Sequence, residues 1–134
     1  MDGGTSKMIN LTYEHGLLFS ELKIKFKDKE LTLDKVLIDT GSGGTILKTD
    51  RVFEIGIEME PTDPIETIRG VGGSEFVFIK TIEELSLGGL NLNQFKCEIG
   101  AMDYGIEMDG IIGLDFLKEV GAIIDLEKME IRSA

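Results

Sequence analysis

Apolar and polar residues alternate with a period of two along most of this chain, the pattern of half-buried strands rather than helices. Ile9, Leu11 and Tyr13 predict a first strand. Glu21-Leu22-Lys23-Ile24-Lys25-Phe26-Lys27 alternates strictly, with apolar side chains on one face and charges on the other. It predicts an antiparallel strand open to water on one side. Asp28-Lys29-Glu30 reads as a turn, Leu31 and Leu33 resume the pattern, and Val36-Leu37-Ile38 is a continuous apolar run suited to a buried strand. Thr49 to Glu54 carries a short helical or loop signal, ended by Pro61 and Pro64. Ile65 to Ile68 and Glu75 to Lys80 predict the arms of a hairpin around Arg69-Gly70-Val71-Gly72-Gly73-Ser74, a tip rich in glycine. Thr81 to Leu87 and Leu90 to Ile99 predict another hairpin across Gly88-Gly89. Met102 to Met108 reads as a loop and Asp109 to Gly113 as a short apolar strand. Leu114 to Val120 predicts a short helix with Asp115 near its positive end and Gly121 as its stop. Ala122 to Leu126 and Met129 to Arg132 predict the closing strands.

Composition agrees with this β-rich reading. Glycine is 17 of 134 residues, with only 2 prolines, against an average glycine usage of about 7%, so tight turns are frequent. The length suits one domain over residues 1–134. Residues 1–7 are small and polar and read as an expression remnant or flexible tail. The formal charge of -11 leaves no basic face for nucleic acid or an anionic membrane. The richest apolar region, Ile111 to Leu126, is interrupted by Asp115, Lys118, Glu119 and Asp125 and is not a bilayer span. With no charged-then-apolar leader, these features predict a soluble, cytoplasmic protein.

The single cysteine, Cys97, allows no internal disulfide and alternates with Phe95 and Ile99 as a buried structural thiol would. His15 is the only histidine, which removes a Ser-His or Cys-His triad within one chain and argues against zinc.

The chemistry concentrates in Val36-Leu37-Ile38-Asp39-Thr40-Gly41-Ser42-Gly43-Gly44-Thr45-Ile46-Leu47. A buried strand delivers Asp39 to a turn whose glycines leave N–H groups accessible and whose Thr40, Ser42 and Thr45 add hydroxyls. Such a stretch serves a carboxylate that pairs with a second one across a water. It also serves a phosphate-holding loop of phosphoribosyltransferase type, or an Asp that merely satisfies its own turn. The phosphate reading needs strands alternating with long helices in a parallel sheet, and this sequence offers one short helix near its end.

Three separated stretches resemble the retroviral-type aspartic proteases, the retropepsins, and most closely their bacterial members. Asp39-Thr40-Gly41-Ser42 is similar to the active-site motif, Ile68-Arg69-Gly70-Val71-Gly72-Gly73 to the glycine-rich flap tip, and Ile111-Ile112-Gly113-Leu114-Asp115-Phe116-Leu117 to the later apolar-glycine strand and its helix. They come in the family's order and span roughly Leu31 to Leu126. The resemblance implies an all-β fold: a closed, barrel-like domain with a flap hairpin and one short C-terminal helix. It implies an aspartic endopeptidase acting on a peptide or protein substrate as a homodimer, with one carboxylate from each copy and no metal or cofactor. Asp39, Thr40 and Gly41 take the catalytic roles, Thr40 by bonding across the dimer. Ser42, Gly43, Ile46, Gly70, Val71, Gly72 and Ile111 take the substrate-binding roles, although plain core positions are an alternative for Ile46 and Ile111. The Ser42 hydroxyl is expected to donate to the Asp39 carboxylate. A dimeric peptide-binding module that kept the fold without catalysis is the alternative function.

Departures from the retroviral pattern bear on substrate grip and on the interface. Gly43 and Gly44 stand where those relatives carry acids, Leu114 stands where they carry a supporting arginine, and Ser42 replaces their common alanine. Losing the first acid together with the arginine is coherent, because losing one alone strands a charge. Glu127 to Ala134 extends past the usual terminus, where the family builds its dimer interface.

Overall fold

A computed structural model describes residues 8–70 and 73–134. The expectations for residues 1–7 and for the tip residues Val71 and Gly72 lie outside the described residues. The strands are β1 (Met8–Asn10), β2 (Thr12–Glu14), β3 (Leu17–Phe26), β4 (Lys29–Ile38), β5 (Ile46–Lys48), β6 (Ile65–Gly70), β7 (Gly73–Leu87), β8 (Leu90–Gly100), β9 (Gly110–Ile112), β10 (Ile123–Asp125) and β11 (Glu130–Arg132). One helical turn, α1 (Thr49–Val52), runs into a 3-10 turn at Phe53–Ile55, and α2 (Leu114–Glu119) precedes β10. Among the described residues the fold is all-β apart from these short helical turns.

An eight-stranded sheet runs β2-β3-β4-β9-β5-β8-β7-β6, and a further β3–β7 pairing closes its middle into a barrel. β4 pairs β9 in parallel and β5 pairs β8 in parallel, whereas the hairpins are antiparallel. A separate three-stranded sheet, β1-β11-β10, gathers the two ends of the chain. Among the described residues no helix is long and apolar enough to cross a membrane.

Several elements differ from the periodicity in instructive ways. The expected first strand divides at buried Leu11, whose N–H donates to Met129 O at 2.8 Å. β1 joins the terminal sheet while β2 joins β3, so an unbroken alternation conceals a change of partner. The turn after β3 is Lys27-Asp28, both at positive φ (49° and 68°), which matches the twist of a two-residue hairpin and leaves Lys29 and Glu30 in β4. The two strands expected over Glu75 to Lys80 and Thr81 to Leu87 are one long strand, β7. Its first half pairs β6 in the hairpin, and its second half pairs β3 in the barrel wall.

The β3–β4 ladder also shifts register: Ser20 faces Val36, but Leu22 faces Leu33. One extra residue on β4 is accommodated at Asp34-Lys35, so Leu33 before the bulge and Val36 and Ile38 after it enter the same core. That core also holds Leu22, Ile24, Ile82, Leu85, Ile99 and Phe116. A second cluster of Phe19, Leu37, Ile46, Val77, Met102 and Met108 lies on the other face of the wall.

The segment leading into β6 is tied down by a buried cation. Lys80 is 6% exposed, and its Nζ donates to Glu60 Oε1 (2.6 Å), Asp63 Oδ2 (2.7 Å) and Glu58 O (3.1 Å). Burial works against the charged lysine, but the bonds to Asp63 and Glu60 outweigh it and leave the ammonium above its ordinary range. The bond from Lys80 holds both carboxyls below theirs. A carboxyl whose folded value is depressed stabilises the fold above its unfolded value and loses that contribution on acidification. Lys80→Met, which keeps an apolar stem and removes the charge, is therefore expected to lower the denaturation midpoint at about pH 7, with a gap to wild type that narrows by about pH 3. Denaturant titrations of the two proteins at both pH values check this.

Candidate active site

β4 carries Val36, Leu37 and Ile38 into the wall and releases the chain at Asp39, whose N–H donates to Ile112 O of β9 at 2.9 Å. The parallel β4–β9 ladder, Val36 to Gly110 through Ile38 to Ile112, therefore fixes where the carboxylate begins. Asp39 is half-buried, and Thr40 and Gly41 are exposed beside it. Its turn closes on itself: the Ser42 N–H donates to Asp39 O (3.1 Å), and the Gly41 N–H donates to Asp39 Oδ1 (2.9 Å). A Cβ on Gly41 would stand 3.2 Å from that same oxygen, so the glycine leaves the carboxylate its place.

The Ser42 hydroxyl does not donate to Asp39 as expected. It donates to Gly44 O at 2.8 Å, because the turn carries the side chain toward the following carbonyl. Its contact is with the loop backbone, and its role there is to shape the loop.

A second group of contacts fastens the loop to the start of α2. Thr45 is 1% exposed; its hydroxyl donates to Asp115 Oδ1 (2.7 Å) and accepts from the Gly113 N–H (3.1 Å). The Leu114 N–H donates to Ser42 O at 2.8 Å. The approach is close enough that a Cβ on Gly113 would fall 2.3 Å from Gly44 O and 2.8 Å from Ser42 O. Beneath the site, Asp109 accepts from the Lys35 N–H (3.1 Å) and pairs with Arg51 (2.9 Å), joining the segment before β9 to β4 and α1.

Above the loop, a cleft of about 660 Å³ opens between Asp39 and the β6–β7 hairpin. Of the residues expected to form the site, Asp39, Ser42, Ile46 and Ile111 line it. Ile46 belongs to the second apolar cluster and Ile111 packs against it, and both also line the cleft wall. Thr40, Gly41 and Gly43 do not line it, and Gly70 ends β6 opposite Gly73. Val71 and Gly72 fall outside the described residues.

The residues that sequence reasoning missed are mostly acidic or supporting. Glu75, Glu98, Asp103 and Tyr104 line the cleft. The Tyr104 hydroxyl bonds the Glu75 carboxylate, which also accepts from the Met102 N–H at 3.3 Å. Glu98 is pushed above the ordinary carboxylate range by burial, then by the nearby charges of Glu66, Asp115 and Glu75. Cys97, its neighbour, points into the core, where burial pushes the thiol up and removes it as a nucleophile at neutral pH.

Comparison with known proteins agrees with this geometry. The family described as "gag-polyprotein putative aspartyl protease" matches residues 23–119. The chain belongs to that family of aspartic proteases. Among solved structures, a retropepsin-like aspartic protease from Rickettsia conorii is similar, with a TM-score of 0.69 at 15% identity over 95% of this chain and 90% of that one. At that identity the likeness is one of fold. No curated protein matches the chain.

The packing at the loop makes two glycines separable. Gly113→Ala must displace backbone and is expected to cost about 3 kcal/mol, as overpacking against an unyielding neighbour does. Gly43→Ala has open space and an ordinary backbone and is expected to stay within about 0.5 kcal/mol of wild type. Equilibrium denaturation of both variants tests the contrast.

Proposed function

We propose that this protein is an aspartic endopeptidase that works as a homodimer, with Asp39 from each copy forming the catalytic pair. The observation that carries this reading is the half-buried Asp39 carboxylate, held by Gly41 N–H at the edge of an apolar-walled cleft beneath a glycine-tipped hairpin. The chain has one Asp-Thr-Gly, so one copy supplies half of a two-carboxylate site. Thr40, exposed beside it, is free to bond across the pair.

Two carboxylates about 3 Å apart share one proton, since both cannot ionise; aspartic proteases are the standard example of this behaviour. The ionised member takes a proton from the bound water as it attacks the scissile carbonyl, and the protonated member donates to the carbonyl oxygen. The resulting diol collapses as the newly protonated member gives its proton to the leaving nitrogen, the C–N bond breaks, and the other member takes a proton from a diol hydroxyl as the carbonyl re-forms, so the pair again holds one proton. The substrate lies extended along the cleft, with its main chain bonded as an added strand. The β6–β7 hairpin, described as far as Gly70 and Gly73, closes over it, Ser42 and Gly43 present the loop backbone, and Ile46 and Ile111 wall the pocket.

Asp39→Asn keeps the shape of the side chain and removes its capacity as a base. It is expected to reduce peptide hydrolysis by at least about a thousandfold, with the thermal midpoint retained. Activity per copy should fall on dilution through the dimer dissociation constant. A species that sediments as a strict monomer and still cleaves peptide overturns the pairing. A wild-type protein that binds peptide and cuts none, like the Asn variant, supports the non-catalytic binding module instead.

The hydroxyl contact found for Ser42 sets a further expectation. Ser42→Ala removes a bond to Gly44 O and none to Asp39, so it should cost about 1 kcal/mol of stability and leave the acid limb of the pH-rate profile in place. A clear displacement of that limb would show that the hydroxyl reaches the carboxylate during turnover.

A further inference from the structure

The cleft is one-sided in charge. Asp39, Glu75, Glu98 and Asp103 all line it, and among its described lining residues there is no lysine, arginine or histidine. Glu75 is engaged by the Tyr104 hydroxyl and the Met102 N–H. Glu98 differs: among the described residues no donor bonds its carboxylate, which lies 3.6 Å from where a Cβ on Gly44 would stand, against the catalytic loop. β8 fixes it there, because the Glu98 N–H donates to Thr45 O at 2.9 Å. Burial and the charges of Glu66, Asp115 and Glu75 oppose its ionised form, a tension that an entering cation relieves.

The remaining walls define the shape of that cation. Ile46, Ile68 and Ile111 line the same cleft, and Glu98 stands opposite Ile46 in the β5–β8 ladder, so the space offers an apolar wall for an aliphatic stem beside an anion. Among the described residues no three His, Cys, Asp or Glu side chains converge to hold a metal ion. An amphipathic side chain with a methylene stem and a charged head fits both features.

We propose that the cleft selects peptides carrying a lysine or arginine close to the scissile bond, with Glu98 receiving the cationic head and the isoleucine walls its stem. This inference rests on the peptidase reading and names the substrate class of the same cleft. Glu98 acts in it as a specificity-determining residue.

The test uses peptides in which lysine and norleucine, which has a similar stem without the ammonium, alternate at each position in turn. Cleavage by the wild type and binding to both wild type and Asp39→Asn are read together. At one position lysine should be preferred over norleucine by roughly tenfold in kcat/KM and in affinity, and the preference should weaken with added salt. In Glu98→Gln the lysine-to-norleucine ratio should collapse toward unity. In Glu98→Lys the preference should move to glutamate at that position. Equal handling of lysine and norleucine at every position, or a ratio unchanged in both Glu98 variants, overturns the proposal. Selective binding of lysine peptides without cleavage supports the selectivity and overturns the peptidase reading. A protein that neither binds nor cuts any of the peptides overturns both.

Discussion

The site depends on a backbone approach that only glycine permits. Gly113 lets the carbonyls of Gly44 and Ser42 come so near that no side chain fits between them. Two N–H groups at the β9–α2 junction then find partners in the loop, Gly113 on the Thr45 hydroxyl and Leu114 on Ser42 O. Asp115 closes the arrangement by accepting from that hydroxyl. Because Thr45 is almost fully buried, each of its polar atoms needs such a partner. A neutral hydroxyl bridging to a carboxylate does the fastening, which avoids desolvating an ion pair.

The bulge on β4 settles where apolar side chains go. With strict alternation, Leu31 and Leu33 would share a face with Leu37 and leave Val36 and Ile38 on the other. The extra residue at Asp34-Lys35 turns the strand, so Val36 and Ile38 join Leu33 in the main core while Leu37 joins Ile46, Val77 and Met102 on the cleft side. Main-core residues hold the barrel closed through β3–β7. The smaller cluster shapes the cleft, so a change at Ile46 or Ile111 alters pocket and packing together.

Alternation and turn chemistry made most strands legible, and three spaced motifs located Asp39 and the hairpin above it. What stayed hidden depended on partners distant in sequence. Nothing local distinguishes Leu11 as a junction between sheets, since Ile9, Leu11 and Tyr13 alternate without a break, and the apolar run Phe76 to Ile79 within β7 does not name the two partners that the strand divides between. The hydroxyl of Ser42 was legible as a donor, but its target was set by the turn, which aims it at Gly44 O. Glu98 carried a usable signal: if Cys97 and Ile99 face the core, the residue between them faces the other way. That the other way was the cleft required the parallel β5–β8 pairing, Ile46 to Glu98, which no periodicity discloses.

Charge then constrains how two copies could meet. Each carries a formal -11, and the cleft adds carboxylates close to the carboxylate that the proposed mechanism brings against its twin. At physiological ionic strength, repulsion beyond about 8 Å is largely screened, so association must be decided by contacts at short range. Leu114, Ile123 and Leu126 are 45%, 36% and 65% exposed, and all follow the loop-bearing junction at Gly113. Covering them would supply an apolar gain that screening does not touch, while repulsion within the cleft would persist until a cation entered. Under the proposed pairing and selectivity, a basic substrate would therefore bind more tightly to the assembled pair than to one copy, and by linkage would stabilise the pair it occupies.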